Sequence, residues 1–214
     1  MFNLDQIIVM VPPFLFAITI HEYAHGWMAL RKGDPTAYHA GRLTFNPLPH
    51  LDLFGTLMLF FVGFGWAKPV PVDPRNLRNP LKDNFWIALA GPASNMLSAL
   101  MFGIIIRIVG LDALIYDGTS ISAILTRMLI FAMQINIILA VFNLIPIPPL
   151  DGSHILEALL PYEARRTYYQ VQRYGPFILM GIILFGFVSG FHIFGMIFSP
   201  FLRIFSYLFA GIAI

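Results

Sequence analysis

The chain reads as an all-α polytopic membrane protein, with about five or six transmembrane helices and a short re-entrant or β element after the first. Composition is the first reason. Of 214 residues, 58% are hydrophobic and 11% charged, where soluble domains run at about 45–50% and about 25%. Spacing is the second, because apolar runs near the roughly 20 residues needed to cross a hydrocarbon core recur along the chain. The third is what lies between them. The longest stretches without a spanning pattern, 31–49, 67–84 and 148–175, are each too short to bury a core of their own. A single membrane-embedded domain over 1–214 follows, with a core over about 7–160 and C-terminal spans over about 176–214.

The first span covers 7–30. The residues before it, Met1-Phe2-Asn3-Leu4-Asp5, lack the positive charge that precedes a cleavable signal, so the span is expected to stay. Residues 51–66 are apolar but short and carry Gly55, Gly63 and Gly65, which favours a re-entrant or extended segment over a full crossing. Further spans are expected over 85–109, 121–147 and 176–194. A last stretch, 196–214, is interrupted by Pro200 and carries Arg203, so it either spans or lies in the interface.

Loop charge sets the orientation. The loop 110–120 has Asp112 and Asp117 but no Lys or Arg and is expected outside. Lys68, Arg75, Arg78, Lys82, Arg165, Arg166 and Arg173 then face the cytoplasm. Arg31, Lys32 and Arg42 join them only if 51–66 dips in and returns, which is the charge argument for a re-entrant segment. The expectation is a multi-pass protein of the cell membrane with its N-terminus outside. The small excess of 13 Lys and Arg over 11 Asp and Glu gives no reason to expect nucleic acid as a partner. With no cysteine, disulfides and thiolate metal ligands are excluded.

Inside the first span lies His21-Glu22-Tyr23-Ala24-His25. Histidines four residues apart share one face of a helix, one turn separated. Two neutral imidazoles held this way suit a tetrahedral zinc, and the glutamate between them is suited to take a proton from water at the metal. The pattern also arises by chance in helices whose histidines merely bond to neighbours. Three ionisable groups within a hydrophobic span are an expensive device for that purpose, which favours the metal. By the orientation above they fall in the cytoplasmic half.

A catalytic zinc takes about three protein ligands and keeps a further position open. The run Asn143 to Gly152 offers one: Pro146, Pro148 and Pro149 end the third span and present Asp151 on non-helical backbone. Spacing alone leaves Asp151 open between a metal ligand and a cap for a short helix beginning near Ser153. Asn95 and Asn143, from different spans, are candidates for contact with substrate or with developing negative charge on a carbonyl oxygen. Their other reading is interhelical hydrogen bonding, worth about 0.6 kcal/mol.

Taken together, His21–His25, the Gly91-Pro92-Ala93-Ser94-Asn95 run and the Asn143–Gly152 run resemble the site-two protease family of intramembrane zinc metalloproteases. The match is to the compact form, without an inserted PDZ domain or appended CBS domains. The resemblance implies one Zn2+ per chain held by His21, His25 and Asp151, with Glu22 as catalytic base and Asn95 and Asn143 near substrate backbone. It also implies hydrolysis of a peptide bond in or near a transmembrane segment of single-span membrane proteins, including remnants already trimmed by another protease. A metal- or peptide-binding membrane protein of the same fold without turnover is the alternative, and a zinc transporter a third. A transporter needs polar residues through the full depth, which the first three spans lack; binding without turnover has no use for Glu22.

A substrate helix must unwind before its backbone can be cut, and an extended segment would pair with an exposed edge. Residues 43–66 are the candidate edge, with a plain interfacial loop as the other reading. Among the remaining histidines, His39 carries no assignment and His50 is expected to bond structurally. His154, three residues after Asp151, is a candidate for orienting a ligand, and His192 for ordinary bonding. The stiff Lys68–Pro74 stretch is either a connector or a gate.

Overall fold

The computed structural model describes residues 4–62, 65–110, 121–189 and 193–212. In chain order the helices are α1 (Leu4–Lys32), α2 (Thr36–His39), α3 (Leu53–Val62), α4 (Pro80–Val109) and α5 (Ile121–Asn143), followed by α6 (Asp151–Leu159), α7 (Tyr162–Gln172), α8 (Gly175–Ser189) and α9 (Ile193–Ala210). Among the described residues there is no β-strand, and four helices (α1, α4, α5 and α9) are long and apolar enough to cross a membrane. The 110–120 loop with Asp112 and Asp117, and His192, lie outside the described residues apart from Gly110.

Two boundaries differ from the sequence expectation. The stretch around Pro200 is one continuous helix, α9, and meets the length for a span. Proline is tolerated in membrane helices because neighbours re-satisfy the freed carbonyl. The segment before it, α8, is apolar but shorter than the four spans. Within 51–66, expected as re-entrant or extended, residues 53–62 form α3, whose ten residues reach only about 15 Å. Leu51 and Ala67 then meet in a single antiparallel bridge, so the chain leaves and returns at one level.

α1, α4 and α5 pack together as the centre of the bundle, with α9 against α4 and α5 and α6 against α4. Small residues allow this approach, as expected where lipid gives helices no hydrophobic reason to associate. Ala17, Ala88, Ala99, Ala132 and Ala140 are all buried. Ile106, Met133 and Ile137 fill the space beside Ala99 and Ala210. At Gly103 the backbone lies so close to Phe209 that a β-carbon would overlap it. Large apolar side chains such as Ile108 and Leu97 stay 79% and 67% exposed, the arrangement of a chain whose outer solvent is hydrocarbon.

Helix ends are tied off locally. Asn79 caps α4 by accepting from Lys82 N, Pro80 occupies the first helical position, and Asp83 accepts from Asn79 N. Lys32 Nζ lies 3.5 Å from Asp83 Oδ1, joining the end of α1 to the start of α4. Arg107 donates to the carbonyls of Phe209, Leu208 and Tyr207 at 2.8, 2.7 and 3.1 Å, closing the C-terminal turn of α9. α5 stops at Asn143, and the prolines that follow carry the chain to Leu150, which is extended, before α6 begins at Asp151. Gly152 is needed there, since a β-carbon would collide with the carbonyls of Leu144 and Ile145.

Candidate metal centre

The α-helical repeat puts His21 and His25 on the face of α1 that packs against α4, and both are buried. Behind them α4 presents Gly91. A β-carbon at this position would overlap the rings of both histidines, so any larger residue would push them out of line. One turn further along α4 is Asn95, fully buried.

Hydrogen bonds behind the rings settle which nitrogens carry protons. Asn95 Nδ2 donates to Ala17 O at 3.0 Å and to Asn136 Oδ1 at 2.8 Å. Its other amide atom, Oδ1, therefore faces His21 Nδ1 at 2.6 Å and must accept from it. Asn136 Nδ2 in turn donates to Ala132 O at 2.8 Å, which completes a relay from α1 through α4 into α5. His25 Nδ1 lies 2.7 Å from Ile87 O, an acceptor only, so it too donates. In both rings Nδ1 holds a proton, and in the neutral imidazole Nε2 is then the nitrogen that offers a lone pair.

Those two lone pairs converge on the third group. Asp151 Oδ2 is 3.1 Å from His21 Nε2 and 3.3 Å from His25 Nε2, and the two Nε2 atoms are 2.9 Å apart. Among the described residues no hydrogen bond reaches Asp151 Oδ2, although it is buried. Three acceptors facing one another is a costly arrangement unless a cation lies among them. Ligands held tetrahedrally at about 2.0–2.1 Å from a zinc stand about 3.3 Å apart, close to all three separations. Two imidazoles and a carboxylate are also ligand types that zinc accepts. The site fits the ion.

Glu22 adjoins this cage and is itself nearly buried. Its Oε2 accepts from Val70 N at 2.9 Å, so the extended loop after α3 reaches the site. The cage and Glu22 open into a cavity of about 610 Å3 whose walls include Phe14, Trp66, Leu139, Phe142 and Leu179.

The remaining sequence candidates divide. Asn143 is on the cavity wall and donates through Nδ2 to Leu139 O at 3.0 Å. Asn95, read from sequence as either a substrate contact or an interhelical bond, has its amide turned to His21, Ala17 and Asn136. His154 also lines the cavity, with Nδ1 3.3 Å from Asn84 Nδ2 and 3.7 Å from Glu157 Oε2. His50 is fully buried away from the cage, donating through Nε2 to Thr44 O at 2.9 Å. His39 is exposed at the end of α2. Two participants escaped the sequence reading. Asn136 carried a usable signal, an amide deep in a largely apolar span, although Gln134 two residues earlier carries the same one. Val70 did not, because a backbone donor leaves no mark in side-chain patterns.

A buried cage of two imidazoles and a carboxylate, with a second carboxylate beside it and an open cavity in front, is the construction of a zinc hydrolase. The chain belongs to peptidase family M50, whose model matches residues 9–188, and it is a zinc metalloprotease. It is 36% identical over 174 residues, 80% of this chain and 78% of the relative, to YwhC of Bacillus subtilis. It is 27% identical over 182 residues, 83% and 67% of the two chains, to Rip2 of Mycolicibacterium smegmatis. To MJ0611 of Methanocaldococcus jannaschii it is 32% identical over 137 residues, 64% and 63% of the two chains. All three are named as zinc metalloproteases. No solved structure matches the chain.

Proposed function

We propose that this metalloprotease cuts a peptide bond in or near the transmembrane segment of single-span membrane proteins, with His21, His25 and Asp151 as zinc ligands and Glu22 as general base. The observation that carries the reading is the convergence of three donor-less ligand atoms within bonding distance of one ion, beside a carboxylate and at the mouth of an apolar cavity. Zinc, when bound, acts as a Lewis acid that acidifies water and polarises the scissile carbonyl. Asn95 holds His21, and Ile87 O holds His25, in the tautomer that leaves Nε2 free. Glu22 takes the proton of the attacking water and passes it to the leaving amine. Asn143, on the cavity wall, is suited to contact substrate backbone once its bond to Leu139 O is exchanged.

The apolar walls suit a hydrophobic substrate segment, and the cavity side chains Trp66, Phe142 and Leu179 give it aromatic and aliphatic contacts. Lys32, Arg42, Lys82 and Arg75 cluster at the end of the bundle that holds the site. The positive-inside rule turns that end to the cytoplasm and leaves the N-terminus outside. The meeting of Leu51 with Ala67 supports a re-entrant α3 on the same side, and α8, a shorter apolar helix, adds a fifth crossing to the four long ones.

The test is cleavage of a single-span model peptide by purified protein in detergent, with zinc quantified in wild type, Glu22→Gln and Asp151→Ala. Zinc near one per chain, retained in Glu22→Gln while turnover is lost, is the expected result. Full turnover in Glu22→Gln would remove the proposed mechanism.

A further inference from the structure

The loop that reaches Glu22 is held in place by residues far from the metal. Residues 69–71 read Pro-Val-Pro, so Val70 carries the sole backbone N–H of the three, and that N–H is the one given to Glu22 Oε2. Both carbonyls before it are occupied. Arg42 Nη2 donates to Lys68 O at 2.6 Å and Nη1 to Pro69 O at 3.1 Å. Lys68 N donates to His50 O at 2.9 Å, fixing the loop from its other edge. Arg42 is only 6% exposed, a costly position for a guanidinium, and its charge interacts with that of Glu22.

The face of α1 is shaped to receive this loop. Gly26 lies one turn beyond Glu22, and a β-carbon there would come within 2.9 Å of Leu43 Cδ2 and 3.3 Å of Val70 Cγ1. Tyr23 stacks on Phe45 with ring centroids 4.4 Å apart, anchoring the segment that carries Arg42 to the same helix. Arg42, His50 and Gly26 thus all bear on the height of Val70 above α1, next to the Leu51–Ala67 bridge on one side and the bond from Asp73 N to Asp34 on the other.

We propose that Arg42 is a positioning residue for Glu22: its fork fixes the Lys68 and Pro69 carbonyls so that the Val70 N–H orients the Glu22 carboxylate toward the metal cage. The inference rests on the reading of Glu22 as base. An arginine suits the task because two rigid donors diverge onto consecutive carbonyls, which a single ammonium cannot reproduce.

The experiment compares Arg42→Gln, Arg42→Lys, Val70→Pro and the Arg42→Gln/Val70→Pro double variant, using a fluorogenic single-span peptide that wild type cleaves. Zinc content is measured for each, with exposed Arg75→Gln as control. Each single variant should lower kcat by about ten- to a hundredfold, with KM and zinc unchanged, because only the base is misaligned. The double variant should be no worse than either single, since both break one chain of contacts. Arg42→Lys should not rescue, and the control should match wild type. Multiplying defects in the double variant, a raised KM at unchanged kcat, lost zinc, or full recovery with lysine would each overturn the inference. Glu22→Gln, run alongside, separates the layers. If it is inactive while Arg42→Gln and Val70→Pro keep wild-type kcat, the inference alone falls; if it is active, the base assignment falls with it.

Discussion

Truncating Asn95 to alanine should weaken zinc binding without touching a metal ligand. The substitution removes three hydrogen bonds at 2.6, 2.8 and 3.0 Å. It strands the His21 Nδ1 proton and Asn136 Oδ1, and takes from Ala17 O the donor it has besides its helix bond, in a site with no exposure at position 95. A buried polar group without a partner costs about 1–3 kcal/mol. Relaxation of Asn136 recovers part of this, leaving a loss of about 2–4 kcal/mol in fold stability. Freed from its anchor, the His21 ring no longer presents Nε2 in one orientation, and losses of this kind weaken metal affinity by about 10–100-fold. The fitting assay is competition with a graded chelator on purified protein in detergent, alongside thermal unfolding with and without zinc. Asn95→Asp supplies a stronger acceptor for the Nδ1 proton while losing the donors to Ala17 and Asn136. It should therefore recover more of the affinity than of the stability. Zinc affinity in Asn95→Ala within twofold of wild type, or an aspartate variant that binds no better than the alanine, would refute the relay.

Three further outcomes are expected. Gly91→Ala should displace both imidazoles and lower zinc occupancy more than any other single-methyl addition on α4, measured by metal content in protein that still elutes as a monodisperse species. Asp34 is buried, and although burial works to raise its pKa, hydrogen bonds from Thr36, Asn76 and Asp73 N outweigh that and hold it below the usual carboxylate range. A depressed carboxyl stabilises fully above its unfolded pKa of about 3.9 and loses that contribution as pH falls through the folded value. The melting-temperature gap between wild type and Asp34→Ala, worth about 2–3 kcal/mol near neutral pH, should therefore hold down to about pH 4 and shrink below it. A gap that widened in acid would be the wrong sign. Arg107→Ala should free the last carbonyls of α9 and speed hydrogen exchange after Tyr207, with zinc content unaltered.

Much of the site was legible because its signals are local. His21, Glu22 and His25 follow from helical spacing, and their setting in an apolar run removed the commonest bland reading. Asp151 was ambiguous for a physical reason. It begins α6 without capping it, since Leu150 holds the cap position and no side chain bonds there, and its Oδ2 faces both imidazoles; an acidic residue at a helix start looks the same in sequence for either role. The direction of the Asn95 amide was not legible. It depends on Asn136, 41 residues away, and an amide in a span looks the same whichever side it faces. That 53–62 is helical was not legible, because a short apolar segment read as re-entrant or extended carries no periodicity that separates helix from strand. Pro200 was read as an interruption, but α9 continues through it, since a membrane helix tolerates a proline where neighbours re-satisfy the freed carbonyl.

The metal cage is built against backbone and amides, by Gly91 behind the rings, Gly152 beneath the aspartate and the Asn95–Asn136 relay. The cavity in front is walled by a different set of side chains, among them Trp66, Phe142 and Leu179, from a loop, α5 and α8. Gly91, Gly152, Asn95 and Asn136 do not line the cavity. The wall can therefore be repainted with larger or smaller side chains while the chemistry stays fixed. Preference for one membrane peptide over another is then free to drift independently of the ability to hold zinc.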